Sequence, residues 1–219
     1  MNQPIWVLHT GSDPTNSVCA EILRCEGFPW LEERSSEVFD VVPPGVKLLV
    51  VGTGIRPKTA ERLAKAVAQG VSLVALTTDP VLVAAFGVTV QEPMVDAHLS
   101  VVDLPNWEHG DVPLLCPDDT AKPLEGGHAL ADLCDSSNHR CGAGVVTVRL
   151  GEARAWLYGY DLCRTIATLR HGTGHLDGPP DRTPVGRDHA SRTASGNSLI
   201  NFLAMFRWRT FTRTSYGLL

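Results

Sequence analysis

VSLVALTTDPVLVAAFG, Val71 to Gly87, reads as a buried strand, a tight turn and a helix that stops at a glycine. Ser72 to Leu76 is a short apolar run rich in β-formers, Thr77 to Pro80 carries turn and N-cap chemistry, and Val81 to Phe86 is apolar over a helical length. In an α/β sheet such a turn lies at the carboxyl end of a strand, where ligands and nucleophiles are presented. A catalytic elbow needs a nucleophile there, and the residues present are Leu76, Thr77, Thr78 and Asp79. A threonine hydroxyl attacks only with an activating base beside it, whereas Thr and Asp ahead of a helix ordinarily cap it.

The flanking segments give this unit its context. Upstream, Val46 to Val51 (VKLLVV) is a continuous apolar run between Pro44-Gly45 and Gly52-Thr53-Gly54, the pattern of a strand buried on both faces. Lys58 to Gln69 then sets Ala60, Leu63, Ala64 and Val67 against Lys58, Glu61, Arg62 and Lys65 on opposite faces of a helix, with Gly70 as its C-cap glycine. Pro4 to His9 predicts a first strand, the stretch from Ser17 a helix ending at Cys25 and Gly27, and Phe28 to Glu33 a second strand. Strands alternate with helices through Gly87, which predicts an α/β domain of three layers around a mostly parallel central sheet.

Beyond Gly87 the rhythm changes. Val88 to Gln91, His98 to Val102 and Leu114 to Cys116 offer short strands in a region rich in Pro, Asn, Trp and His. Gly144 to Leu150 and Ala153 to Tyr160 flank Gly151-Glu152 and predict a late antiparallel hairpin. Asp161 caps a predicted helix over Asp161 to Arg170, where Arg164 and Arg170 read as surface charge. His171 to Arg192 is dense in Gly, Pro, His and charge without apolar period, so residues 1–171 are expected to form the domain and 172–219 a linker with a poorly structured tail.

Composition narrows the function classes. A formal charge of −5 provides no basic footprint for nucleic acid. The N-terminus lacks the basic and apolar regions of a signal peptide and no apolar run approaches the ~20 residues of a membrane span, so a cytoplasmic setting is expected. Cys19, Cys25, Cys116, Cys134, Cys141 and Cys163 are too few for a disulfide scaffold at this length and form no CxxC pair. Cys134 and Cys141 enclose His139, but zinc ligands are normally spaced two to four apart with a second pair, so a plain loop bearing thiols is expected. His171, His175 and Asp177 are interrupted by Gly172 and Gly174, which removes the helix that would gather them on a metal. No metal site and no cofactor is expected.

The order of VKLLVVGTG, the helix ending Gln69-Gly70, the unit VSLVALTTDPVLVAAFGV and the hairpin VVTVRLGEARAWLYGYDL resembles the class I glutamine amidotransferase-like superfamily. Within it, the resemblance is to the branch that includes trehalose-utilisation-type proteins and the trimerisation domain of some β-galactosidases. It covers about residues 4–171 and implies a flavodoxin-like fold. The working amidotransferases carry a Cys between glycines at the elbow, near Leu76 or Thr77 here, and a His-x-Glu on a later strand. This chain has neither, its late strand reading Tyr158-Gly159-Tyr160-Asp161.

The resemblance therefore implies a non-catalytic module acting in binding or assembly, with a small molecule or carbohydrate as ligand, in a homo-oligomer or a larger multidomain protein. The alternative is a hydrolase or transferase with relocated catalytic residues, for which His9, Asp13, Thr77, Asp79 and Asp161 are the candidates. A receiver-type signalling domain ranks last, since only Asp13 lies near its acidic pair. The candidate ligand-binding edge comprises His9, Thr10, Ser12 and Asp13 after the first strand, Gly52, Thr53 and Gly54 after the third, Thr77, Thr78 and Asp79 after the fourth, and Asp161. Gly52 to Gly54 is too short for a phosphate loop and lacks the following Lys-Ser/Thr, so tight-turn glycine is the competing reading.

Overall fold

The computed structural model describes residues 3–10, 19–21, 23–24, 28–94, 97–101, 114–115 and 121–163. The predicted tail, most of the terminal helix and the segment 102–113 lie outside the described residues. The described strands are β1 (Ile5–His9), β2 (Leu31–Ser35), β3 (Leu48–Val51), β4 (Ser72–Ala75), β5 (Thr89–Val90), β6 (His98–Val101), β7 (Leu114–Leu115), β8 (Leu124–Glu125), β9 (His128–Cys134), β10 (Arg140–Leu150) and β11 (Ala153–Tyr158). The helices are α1 (Pro57–Ala68) and α2 (Pro80–Ala84), with a 3-10 turn at Ser36–Val38 and helical residues at 19–21 and 23–24.

The strands form one sheet in the order β2-β1-β3-β4-β11-β10-β9-β6-β7, with β5 and β8 pairing off this path. β2, β1, β3, β4 and β11 run parallel, and beyond β11 the pairs are antiparallel. The α/β class predicted from the alternation is therefore present, in the flavodoxin-like form that the resemblance implies. Its antiparallel part extends past the predicted late hairpin through β9, β6 and β7.

Period-two alternation places successive residues on opposite faces of the sheet. Ile5, Val7, Leu48, Val50, Val74 and Trp156 join one core with Cys19, Ala20, Leu23, Tyr160 and Leu162. Trp6, Leu8, Leu49, Val51, Leu73, Ala75 and Leu157 join the other, against Ala60, Leu63, Ala66 and Val67 of α1 and Leu82 and Val83 of α2. Both faces of β1, β3, β4 and β11 are thus covered, and this is why β3 reads as an unbroken apolar run and β4 as one after Ser72. Each fully buried leucine in these cores contributes about 2 kcal/mol.

The deciding stretch folds as its residues dictate. Asp79 is the N-cap of α2, with Pro80 at its first turn. The helix is closed at Gly87, whose N–H donates to the Ala84 carbonyl at 3.0 Å while Val88 N–H donates to that of Val83 at 3.2 Å. Gly87 has φ 71°, the left-handed value that such a closure requires and that glycine adopts without a Cβ penalty.

Two expectations are corrected. The second strand starts at Leu31 instead of Phe28, because Phe28 N–H donates back to the Leu23 carbonyl and Pro29 has no N–H for a ladder. The expected loop around Cys134 and Cys141 is a hairpin: Cys134 ends β9, buried, and Cys141 stands exposed in β10, which begins at Arg140. Asp135 Oδ1 accepts from the N–H groups of Ser137 (2.8 Å) and His139 (2.9 Å) to close that turn. The His139 N–H above all, with that of Ser137, holds the Asp135 carboxyl below the usual range.

Candidate functional site

The order β2-β1-β3 reverses the direction of strand addition at β1, so the carboxyl ends of β1 and β3 bound a topological switch point. In open α/β sheets ligands bind in the crevice outside such a point. His9 and Thr10 follow β1, Gly52 to Gly54 follow β3, Thr77 to Asp79 follow β4, and Gly159 to Asp161 follow β11. These strands are neighbours, so the candidate residues come together along one edge. Ser12 and Asp13 lie outside the described residues.

The edge is held by side chains bonding across strand ends. Thr10 Oγ1 donates to the Thr53 carbonyl at 2.9 Å, joining the ends of β1 and β3. Asp79 Oδ1 accepts from Val81 and Leu82 N–H, both at 3.0 Å, and Oδ2 accepts from Ile55 N–H at 2.8 Å, joining the ends of β3 and β4. Thr78 Oγ1 donates to the Tyr158 carbonyl at 3.1 Å, and Leu162 N–H donates to the Leu76 carbonyl at 2.9 Å, joining β4 to β11. Asp79, for which the sequence allows either a cap or a reactive carboxylate, has both oxygens engaged with backbone and is 6 % exposed.

Thr77 stands where an elbow nucleophile would stand. Its side chain is 1 % exposed, and its hydroxyl makes no hydrogen bond among the described residues, so none of them holds a base against it. The half-buried members of the edge are His9, Thr10, Thr53, Thr78 and Asp161, with Gly54 exposed. These are the members of the edge that keep accessible surface. Among the described residues no cluster of His, Cys, Asp and Glu could hold a metal ion. No described helix is long and apolar enough to cross a membrane.

An open cleft of about 460 Å³ lies elsewhere, on the antiparallel half of the sheet, between Gln91, Glu125, Gly126, Arg140 and Cys141. Arg140 Nε lies 2.7 Å from Asp132 Oδ2, and Gln91 Nε2 donates to Glu125 Oε2 at 2.7 Å. The cleft is not legible in the sequence because β8 and β9, which build its wall, carry weak strand patterns. The signal available is the alternation in HALADLC, diluted by its alanines.

At the end of β11 the rings of Tyr158 and Tyr160 meet at 5.6 Å with their planes tilted by 53°. Burial, assisted by neighbouring Cys163, raises the Tyr158 phenol well above its ordinary value. An unfolded chain ionises tyrosine near pH ~10, whereas the folded chain keeps Tyr158 neutral there. Its contribution to stability is therefore complete below pH ~10 and is lost as pH rises beyond it. In an alkaline titration, phenolate absorbance should leave Tyr158 un-ionised until near-UV circular dichroism is lost. Complete ionisation of all tyrosines in a still-folded chain would contradict the burial.

No protein family matches the sequence, and no curated protein matches it significantly. Solved structures share the fold. A β-galactosidase from Rahnella sp. R3 is 14 % identical with a TM-score of 0.54, over 75 % of this chain and 31 % of that one. An exo-β-1,4-mannosidase from Opitutaceae bacterium strain TAV5 is 11 % identical with a TM-score of 0.61, over 91 % and 35 %. A GMP synthase component from Thermoplasma acidophilum is 13 % identical with a TM-score of 0.51, over 74 % and 88 %. The chain thus spans about a third of the length of the glycosidases and most of that of the synthase component. At these identities what is shared is the flavodoxin-like α/β fold.

Proposed function

We propose that this chain is a non-catalytic glutamine amidotransferase-like module that acts in binding or assembly within a carbohydrate-related protein system. The observation that carries the reading is the elbow: a buried Thr77 hydroxyl without a base among the described residues, beside an Asp79 whose oxygens both accept from backbone N–H groups. Nucleophilic catalysis needs a base within hydrogen-bond reach of the attacking atom. Fold likeness to glycosidases and to a GMP synthase component supports the carbohydrate and amidotransferase-like parts of the proposal.

The assembly part draws on the surface beside the edge strand β2. Trp30 immediately before it is 66 % exposed, and Val38 and Val41 after it are 77 % and 74 % exposed. Apolar side chains of this size around an open strand edge suit contact with another chain. The test combines an assay for ammonia release from glutamine and for hydrolysis of aryl esters and aryl glycosides with light scattering of the purified chain. No turnover, and a mass above the monomer that falls in the Trp30→Ser variant, are expected. Turnover abolished by Thr77→Val would overturn the non-catalytic reading, and a monomer at all concentrations would overturn self-assembly.

A further inference from the structure

Cys19 and Cys163 are separated by 144 positions in the chain, yet their sulfurs lie 2.9 Å apart. They are 1 % and 0 % exposed, within the core formed by Ile5, Val7, Leu23, Tyr158 and Tyr160. A disulfide has its sulfurs ~2.05 Å apart, so the bond is reached by a movement of less than about 1 Å. Cys134 and Cys141 are placed differently. Cys134 ends β9, buried, and the exposed Cys141 Sγ donates to the His139 carbonyl at 3.4 Å.

We propose that Cys19 and Cys163 form an oxidation site for a small neutral peroxide, which converts the pair to a disulfide. One thiol attacks an oxygen of hydrogen peroxide; the O–O bond breaks, and the departing hydroxide takes that thiol's proton to leave as water. The sulfenic acid so formed is attacked by the second thiol, the S–O bond breaks, and a second water leaves with that thiol's proton. In sum, two thiols and one hydrogen peroxide give one disulfide and two waters. Sulfurs 1 % and 0 % exposed in an apolar core are closed to a bulky, charged oxidant such as oxidised glutathione.

The link would tie helical residue Cys19, beyond β1, to the segment beyond β11 that Leu162 N–H already fastens to the Leu76 carbonyl. It closes a loop that contains β2 through β11, the geometry in which a cross-link most restricts the unfolded chain. The oxidised protein should melt about 10 °C higher than the reduced one.

The experiment treats the folded, reduced chain with hydrogen peroxide, blocks remaining thiols by alkylation, and maps non-reduced proteolytic peptides by mass spectrometry. A Cys19–Cys163 peptide lighter by two hydrogens than its parts, and a melting rise reversed by dithiothreitol, are expected. Cys163→Ala should lose the cross-link and the rise, and Cys141→Ala should keep both. The proposal is overturned if Cys19 and Cys163 are both alkylated after treatment, or if the linked peptides involve other cysteines. Should Cys163→Ala fail to fold, the peptide map of the unaltered chain decides the matter alone.

Discussion

Replacing Asp79 with alanine is expected to destabilise the fold by about 3 kcal/mol, from loss of an N-cap together with a buried charged hydrogen bond. The carboxylate receives N–H groups from Val81, Leu82 and Ile55, and two of those bonds, to Leu82 and Ile55, are buried. Removing it orphans the first donors of α2 and uncouples the loop after β3 from the turn after β4. A cap alone is worth about 1 kcal/mol; the rest comes from leaving the Ile55 N–H buried without a partner. Asp79→Asn should cost less, since Oδ1 can keep both α2 bonds while the amide nitrogen faces the Ile55 N–H as a second donor. Urea unfolding monitored by far-UV circular dichroism measures both variants. An alanine variant within about 0.5 kcal/mol of the parent, the range of an ordinary surface change, would mean that the carboxylate does not hold the edge together.

The parallel half of this fold was legible because its local signals agree. The apolar runs Leu48–Val51 and Ser72–Ala75, the Asp79-Pro80 start and the Gly70 and Gly87 stops all act within a few residues of one another in sequence. Of the antiparallel half, the β10–β11 hairpin and the short strands β5, β6 and β7 were legible, whereas β8, β9 and the start of β10 were not, for a physical reason visible at Gly142 and Gly144. Glycines weaken a strand pattern, yet a Cβ at Gly142 would lie 2.7 Å from Pro123 Cβ, and one at Gly144 would collide with Leu99 and Leu133. These glycines exist because distant chain approaches them, and nothing local announces that. The same holds for the edge. Its members could be named because parallel strands end on one side, whereas the partner of Asp79 Oδ2 is 24 residues away and Cys19 meets Cys163 across nearly the whole domain. Capping was readable; which loop the cap would also hold was not.

Gly159→Ala is expected to cost about 3 kcal/mol, at the upper end for overpacking a closed site. A Cβ there would stand 2.5 Å from the Lys122 carbonyl oxygen and 3.2 Å from both the Gly144 carbonyl oxygen and Leu124 Cγ. Side-chain rotation cannot relieve the first of these contacts, because the obstructing atom belongs to the backbone. Nor can either backbone withdraw freely: Gly159 N–H donates to the Gly144 carbonyl at 2.7 Å, and Lys122 N–H donates to the Gly159 carbonyl at 2.6 Å. Relief therefore means stretching hydrogen bonds on both flanks of the residue that leads from β11 to Tyr160 and the carboxyl edge. Gly45→Ala is the informative comparison, since Gly45 has φ 102° and nothing within 4 Å of its Cβ position. That variant carries conformational strain alone, about 1 to 2 kcal/mol. If urea midpoints show the two variants equally destabilised, the close approach at Gly159 is not what its glycine serves. If Gly159→Ala loses clearly more, the junction of β11, β10 and the segment before β8 is fixed by backbone contact, and the edge inherits its geometry from that junction.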